Sequence, residues 1–325
     1  MEHQQNRTGA GDDLELSVVV PVYNEEPNVR ELSERILAVG REMAVPFEVI
    51  LVDDGSTDGT PDLLRSICRE QPECRAVLFR RNFGQSAAMT AGFHHTRGRV
   101  VVSMDGDLQN DPADIPELVS GLQEGYDIVC GWRKDRQDRL LTRRIPSQWA
   151  NRLIGRLTGV RLHDYGCSLK AYEGDLVRDL VVYGELHRFI PVLLHLRGAN
   201  MKEVVVRHHA RTRGESKYNL SRMPTVVLDL MLMLFFQRFQ TRPLQFFGRG
   251  GGLMLGIGVL IELYLTVLKF GFGQDIGDRP LLQLGALLII SGFVVLGIGL
   301  VSEIVMRAYY ETSGRTIYSI REVVE

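Results

Sequence analysis

The chain has 325 residues, with 38 Lys and Arg against 40 Asp and Glu, a formal net charge of −2 and a mean hydropathy of −0.03. A hydrophobic share of 45% and a charged share of 24% exclude a disordered or fibrous chain, and no nucleic-acid partner is expected. The four cysteines (Cys68, Cys74, Cys130 and Cys167) form no C-x-x-C and no metal-ligand spacing, which excludes a disulfide scaffold and points to a reducing compartment.

Residues 1–15 read as a polar N-terminal tail without an apolar stretch, so the domain that follows is expected in the cytosol. Short apolar runs then alternate with helical spacing. Strands are predicted at Leu16–Val22, Phe47–Val52, Ala76–Phe79, Arg99–Met104 and Tyr126–Gly131. Helices are predicted at Pro27–Met43, Pro61–Glu70 (Pro at its first position), Gly84–His95 and Pro112–Glu124. Continuously apolar strands separated by helices predict an α/β fold with a mostly parallel sheet covered on both faces. Ligands bind such sheets at the carboxyl ends of strands. Three motifs fall there: Pro21–Glu26, Asp53–Asp58 and Asp105–Gln109.

The second half is more basic. Arg133 to Arg156 carries eight Arg and Lys against two Asp, and Arg197 to Arg249 carries ten against three acidic residues. Two apolar runs follow, about 250–270 and 281–302, each long enough to cross a hydrocarbon core. The alternative is a pair of buried core helices. The connecting loop, Gly271–Pro280, is short, so the runs form a hairpin whose flanks lie on one side. Arg238, Arg242, Arg249, Arg307, Arg315 and Arg321 lie on those flanks, against Arg279 alone in the loop, which predicts cytoplasmic flanks. Glu262 inside the first run is read as a helix–helix contact or a functional group. Pro224–Phe236, interrupted by Asp229, is read as an interfacial helix, with a domain helix packed on the sheet as the alternative. The predicted organisation is a catalytic domain at 16–219, a juxtamembrane segment at 220–248, a hairpin at 249–303 and a cytoplasmic tail at 304–325.

Asp105-Gly106-Asp107-Leu108-Gln109 sets two carboxylates two residues apart in a loop leaving an apolar strand. Hard oxygen donors at that spacing suit Mg²⁺ or Mn²⁺ bridging a diphosphate, though surface loops also contain D-x-D sequences. Asp53-Asp54-Gly55-Ser56-Thr57-Asp58-Gly59 reads either as a capped turn or as a carboxylate site for a nucleobase or ribose. Neither G-x-G-x-x-G nor a Walker loop follows the first strand, which argues against a dehydrogenase and a P-loop NTPase.

Taken together, PVYNEE, DDGSTDGT, Arg81–Gly84 (RNFG) and DGDLQ, in this order, resemble the family-2 glycosyltransferases with a GT-A fold. Asp164–Lys170, His187–Pro191 and Arg213–Tyr218 are similar to one branch, the polyprenyl-phosphate glycosyltransferases such as dolichol-phosphate mannose synthase and bacterial undecaprenyl-phosphate sugar transferases. The C-terminal hairpin and tail look like the bacterial members. The resemblance implies nucleotide-sugar contacts at Pro21, Tyr23, Asn24, Glu25, Asp53, Asp54, Asn82, Gln85, Asp105, Arg213 and Ser216. It implies metal ligation by Asp105, Asp107 and Gln109. Catalytic roles fall to Asp107, Asp164, Arg133 and Lys217, and acceptor-phosphate contacts to Arg133, Arg136 and Arg144.

Bland readings stand beside these. Arg133, Arg136 and Arg144 also fit a solvated face or a membrane-surface patch, Asp164 a turn cap, and His187 a structural core residue. The implied reaction moves a hexosyl group, with inversion, from UDP-glucose to undecaprenyl phosphate with Mg²⁺ or Mn²⁺. GDP-mannose is the alternative donor and another lipid the alternative acceptor. A processive polysaccharide synthase would carry Q-x-x-R-W, which is missing here. A membrane-anchored nucleotide-sugar-binding tether is the non-enzyme alternative, and self-association into a homo-oligomer is left open.

Overall fold

The computed structural model describes residues 14–134, 155–156, 158–182, 186–209, 243–277, 280–312 and 318–325. The chain divides into two compact units, 1–233 together with 316–325, and 234–315.

The first unit is built on an eight-stranded sheet. Its strands are β1 (Leu16–Val22), β2 (Phe47–Asp53), β3 (Cys74–Phe79), β4 (Val100–Ser103), β5 (Ile128–Trp132), β6 (Lys170–Glu173), β7 (Met201–Val205) and β8 (Ile320–Val324). Their spatial order is β7-β5-β6-β4-β1-β2-β3-β8. The β4-β1-β2-β3 block is parallel, as is the β5–β7 pair, while β6 and β8 run antiparallel to their neighbours. Both faces are covered, as predicted for continuously apolar strands. One core layer joins β1 and β2 side chains such as Val18, Val20 and Leu51 to Leu32 and Ile36 of α1 (Glu26–Glu42) and Leu64 of α2 (Thr60–Glu70). The opposite layer joins Val19, Ile50 and Val52 to the small residues Ala87, Ala88 and Ala91 of α3 (Gln85–His94). All four cysteines are buried free thiols.

The predicted and observed elements agree closely through β5. The predicted helix 112–124 is a 3₁₀ turn, Pro112–Asp114, running into α4 (Ile115–Gln123), and Asp111 accepts a hydrogen bond from the Ala113 amide at its start. Pro21 is tolerated in central strand β1 because β1 outruns β4: pairing ends at Val19–Ser103, so the missing N–H leaves no β4 carbonyl unpaired. The short helices α5 (Gly174–Arg178) and α6 (Ile190–His195) cap the later strands.

The C-terminal tail is no loose end. Ile320–Val324 returns as β8 and pairs antiparallel with β3, so the segment expected as a tail completes the catalytic sheet.

The second unit is a helical hairpin, α7 (Pro243–Phe272) and α8 (Pro280–Thr312). Phe247–Phe272 and Pro280–Ser302 are long and apolar enough to cross a membrane. Glycines let the helices approach closely. A Cβ on Gly251 would lie 2.9 Å from the Gly292 carbonyl oxygen, and one on Gly258 would lie 2.8 Å from that of Gly285. Glu262 lies against Gly285 in this seam. The predicted interfacial helix 224–236 falls outside the described residues.

Candidate active site

The first wall of the site is where the loops after β1, β2 and β3 meet. Asn24 takes a left-handed conformation (φ 52°). Its amide N–H donates to Ser56 Oγ at 2.8 Å and its side-chain oxygen accepts from the Thr57 amide at 2.8 Å, so Asn24 locks the loop after β1 to the loop after β2. Glu25 is fixed likewise, accepting from Asn28 Nδ2 at 2.7 Å while its own amide donates to Thr60 Oγ1. Gly55, at φ 69°, brings the second loop onto the third: a Cβ there would sit 2.2 Å from the backbone carbon of Arg81. These loops enclose a cleft of 310 Å³ whose lining includes Tyr23, Asp53, Ser56, Arg81 and Asn82.

Asp53 and Asp54, equivalent in the sequence reading, separate here. Asp53 lines the cleft and accepts from the Ser56 amide at 3.2 Å. Burial raises its pKa. Asp54 is turned to the third loop, where it accepts from the Phe83 amide (2.7 Å), the Gly84 amide (3.0 Å) and Asn82 Nδ2 (2.9 Å). Burial outweighs these hydrogen bonds and pushes the Asp54 carboxyl up to about 6. Asp54 thus staples the RNFG loop, and Asn82 spends its amide on that staple.

The second wall is the loop after β4. Gly106 packs on the end of β1, where a Cβ would lie 2.8 Å from Val22 Cγ1 and 3.3 Å from the Pro21 carbonyl oxygen. Asp105 and Asp107 flank it, and Leu108 takes the left-handed region (φ 61°) to turn the chain. Asp105 accepts from Gln85 Nε2 at 2.6 Å, and its amide donates to Ser168 Oγ at 3.2 Å. Asp107 accepts from the Gln109 amide at 3.2 Å. Burial, then the Asp107 charge, raise the pKa of Asp105, against the opposing influence of Arg133 and Lys170.

This carboxylate pair fits a divalent cation. Two hard carboxylates two residues apart on a partly buried loop, close enough for the Asp107 charge to raise the Asp105 carboxyl, are a donor set that suits such an ion, and Gln109 follows in the same loop. Among the described residues no cluster of three or more His, Cys, Asp or Glu side chains forms a metal cage. The arrangement is of the two-carboxylate kind that leaves ligand positions for a substrate's phosphates.

The third wall carries Arg133 and Asp164, which the structure brings together. Arg133 Nε donates to Asp164 Oδ2 at 2.7 Å and Nη2 to Oδ1 at 3.0 Å, and the Gly166 amide also donates to Oδ1 at 3.1 Å. Asp164 therefore holds Arg133 and is no free base. Trp132 stacks on His163 (4.2 Å between ring centroids), and His163 in turn meets Glu203. His187 is a core residue, bonded to Ser86 Oγ, and burial lowers its pKa to about 3, so it stays neutral.

Lys170 was given no role by the sequence reading. It is buried at the start of β6 and donates to the Cys167 carbonyl. Its signal was available: a lysine three residues beyond Asp164-Tyr165-Gly166-Cys167, at the end of the Asp164–Lys170 motif. Arg136, Arg144, Arg213, Ser216 and Lys217 lie outside the described residues.

Three carboxylate-bearing loops meet at one end of a parallel block, where sheets of this kind bind their ligands, and comparison with known proteins supplies the family. Residues 17–180 match Glycosyl transferase family 2. The chain is 46% identical to dodecaprenyl-phosphate galacturonate synthase of Rhizobium johnstonii over 96% of this chain and 94% of that protein. It is 40% identical to undecaprenyl-phosphate 4-deoxy-4-formamido-L-arabinose transferase of Pseudomonas aeruginosa over 95% of this chain and 90% of that one. In structure it resembles glucosyl-3-phosphoglycerate synthase of Mycobacterium tuberculosis, solved with Mn²⁺, UDP and phosphoglyceric acid. That match has a TM-score of 0.52 and 23% identity, over 69% of this chain and 79% of the other, and it shows a shared GT-A-like fold. The chain belongs to glycosyl transferase family 2 and is a glycosyltransferase.

Proposed function

We propose that this enzyme transfers a glycosyl group from a UDP-sugar to a polyprenyl phosphate at a membrane surface. The observation that carries the reading is the packing of Gly106 on Pro21 and Val22. It sets Asp105 and Asp107 beside the cleft that holds Tyr23 and Asp53, so one extended ligand can reach both. Support for the acceptor comes from two relatives aligned along nearly the whole chain, both named as polyprenyl-phosphate enzymes.

A phosphate oxygen of the lipid attacks the anomeric carbon as the bond to the nucleoside diphosphate breaks. One displacement inverts the anomeric centre. The monoester's second pKa is near 6, so the acceptor arrives largely as the dianion and needs no strong base. This agrees with Asp164 being committed to Arg133. Arg133, held rigid, offers fixed positive charge to phosphate oxygens. Asp105 and Asp107, with Gln109, would hold Mg²⁺ or Mn²⁺, which when bound supplies positive charge to the departing diphosphate. Asp53 accepts hydrogen bonds from the base or ribose. Lys217, Arg213 and Ser216 are assigned to closing on the donor and Arg136 and Arg144 to the acceptor phosphate, by resemblance alone.

The sugar is proposed as galacturonyl. UDP-glucose, expected from sequence, loses its support because the two relatives carry galacturonate and 4-deoxy-4-formamido-L-arabinose in their names. The pentose is the second reading. The hairpin is proposed as a transmembrane anchor with the catalytic domain cytoplasmic.

The test is a donor panel in detergent with undecaprenyl phosphate and Mg²⁺ or Mn²⁺, read by mass spectrometry of the lipid. The expected product is hexuronyl-phosphoryl-polyprenol from UDP-galacturonate, lost with EDTA. A glucosyl or formamidoarabinosyl product would replace the sugar assignment. No lipid product from any donor, with UDP bound, would overturn the acceptor.

A further inference from the structure

We propose that Arg321, on the C-terminal strand, is a donor-binding residue that grips the nucleoside end of the nucleotide sugar. The inference rests on the glycosyl-transfer reading above and extends the site to a segment lying beyond the hairpin in sequence.

The β3–β8 ladder is interrupted at one point. Ala76 pairs with Val324, Val77 with Val323 and Leu78 with Glu322, but Phe79 pairs with Ile320. Arg321 is the extra residue, opposite no partner. A bulge of this kind bends the strand and re-aims a side chain. Arg321 is aimed at the cleft, which it lines together with Tyr23, Asp53 and Arg81.

The strand is fastened on both sides of the bulge. Tyr318 stacks on Phe79 with ring centroids 5.2 Å apart and shares a hydrogen bond with His94 Nδ1 at 2.9 Å. The Arg80 amide donates to the Ser319 carbonyl at 3.1 Å. Glu322 accepts from Arg65 Nη2 at 2.9 Å. The position of Arg321 is therefore set by packing, while its guanidinium has no ion-pair partner among the described residues. Arg65, in the same wall, is occupied by Asp62 and Glu322.

The sheet order locates the contact along the ligand. The Asp105–Asp107 loop follows β4, and β8 lies four strand positions away, about 19 Å at the usual spacing. Arg321 therefore stands at the nucleoside end, on Asp53's side of the cleft, remote from the diphosphate. A guanidinium there can lie flat on a base and donate to base carbonyls or ribose hydroxyls, which lysine cannot reproduce.

The experiment uses full-length protein in detergent, titrated calorimetrically with UMP and with UDP, alongside steady-state donor kinetics. Arg321→Ala should weaken both nucleotides by the same factor, about five- to thirtyfold, with donor KM rising in step and kcat within about twofold. Arg321→Lys should recover only part of the loss. Val323→Ala, on the same strand and outside the cleft, should bind both nucleotides as the wild type does. Wild-type affinity in an Arg321→Ala protein that melts normally would overturn the inference. So would an equal loss in Val323→Ala, which would trace the effect to strand docking, or a loss confined to UDP, which would put the arginine at the diphosphate. These outcomes leave the transfer reading intact, provided the wild type binds UDP and glycosylates the lipid. A wild type that binds neither nucleotide overturns both.

Discussion

Arg133 and Asp164 form a bidentate ion pair in which the arginine side chain is 11% exposed and the aspartate 4%. Removing one partner of a buried pair strands the other charge, at about 3–5 kcal/mol. Arg133→Ala and Asp164→Ala should each lower the melting temperature markedly, and the double variant should lose far less than the sum of the two. A double-mutant cycle on thermal or denaturant melts checks this, and additive losses would contradict a coupled pair. Asp164→Asn should keep much of the fold yet lower kcat, because the arginine loses its fixed orientation.

Asp54 predicts a pH dependence of stability. Its carboxyl sits at about 6 in the fold against 3.8 for the free side chain. Folding therefore takes up a proton between those values, so stability falls as pH rises from about 4 to about 6 and is level above. The ionised form costs about 3 kcal/mol at neutral pH by this shift. Melting temperatures of the wild type and Asp54→Asn across that window check it: the wild type should lose stability relative to the variant as pH rises.

Asp107→Ala should reduce turnover by about a thousandfold or more while melting within about 2 °C of the wild type, since the side chain is proposed to serve the diphosphate end and lies on a loop outside the strands. EDTA should reproduce the loss in the wild type and add nothing in the variant. An Asp107→Ala enzyme that keeps turnover would remove this loop from the chemistry.

Gly55→Ala should be among the most damaging single-methyl additions in the protein. The new Cβ meets backbone, which cannot swing aside, and the position also has positive φ. A loss of about 2 kcal/mol or more is expected, with UDP affinity falling as the loops after β2 and β3 separate. Gly84→Ala is the control: it too has positive φ but nothing within 4 Å, so it should cost less.

The strands that build the site were legible because each is a continuous apolar run ended by a turn motif, as Phe47–Asp53 runs into Asp54-Gly55. The later ones were hidden. β7 (Met-Lys-Glu-Val-Val) and β8 (Ile-Arg-Glu-Val-Val) mix charges with a few apolar residues. The partners of β8 are remote in sequence; Arg65 and Glu322 lie 257 positions apart. The site was legible as residue types but not as pairings. Asp53 and Asp54 are neighbours whose side chains leave the strand in opposite directions, so one meets the cleft and the other the RNFG loop. That Asp164 is spent on Arg133 depends on β5 reaching a loop some thirty residues on, which no local spacing reports.

The placement of β8 also orders the assembly of the molecule. During synthesis β1 to β7 emerge before either apolar helix, and β3 is then an edge strand with an unpaired row of backbone groups, open to adhesion with other chains. It is covered only after both helices have been made and the chain has turned back. Maturation of the sheet-bearing unit is thereby tied to translation of the hairpin. A chain truncated before the hairpin, and so lacking β8, should show it as aggregation through the β3 edge.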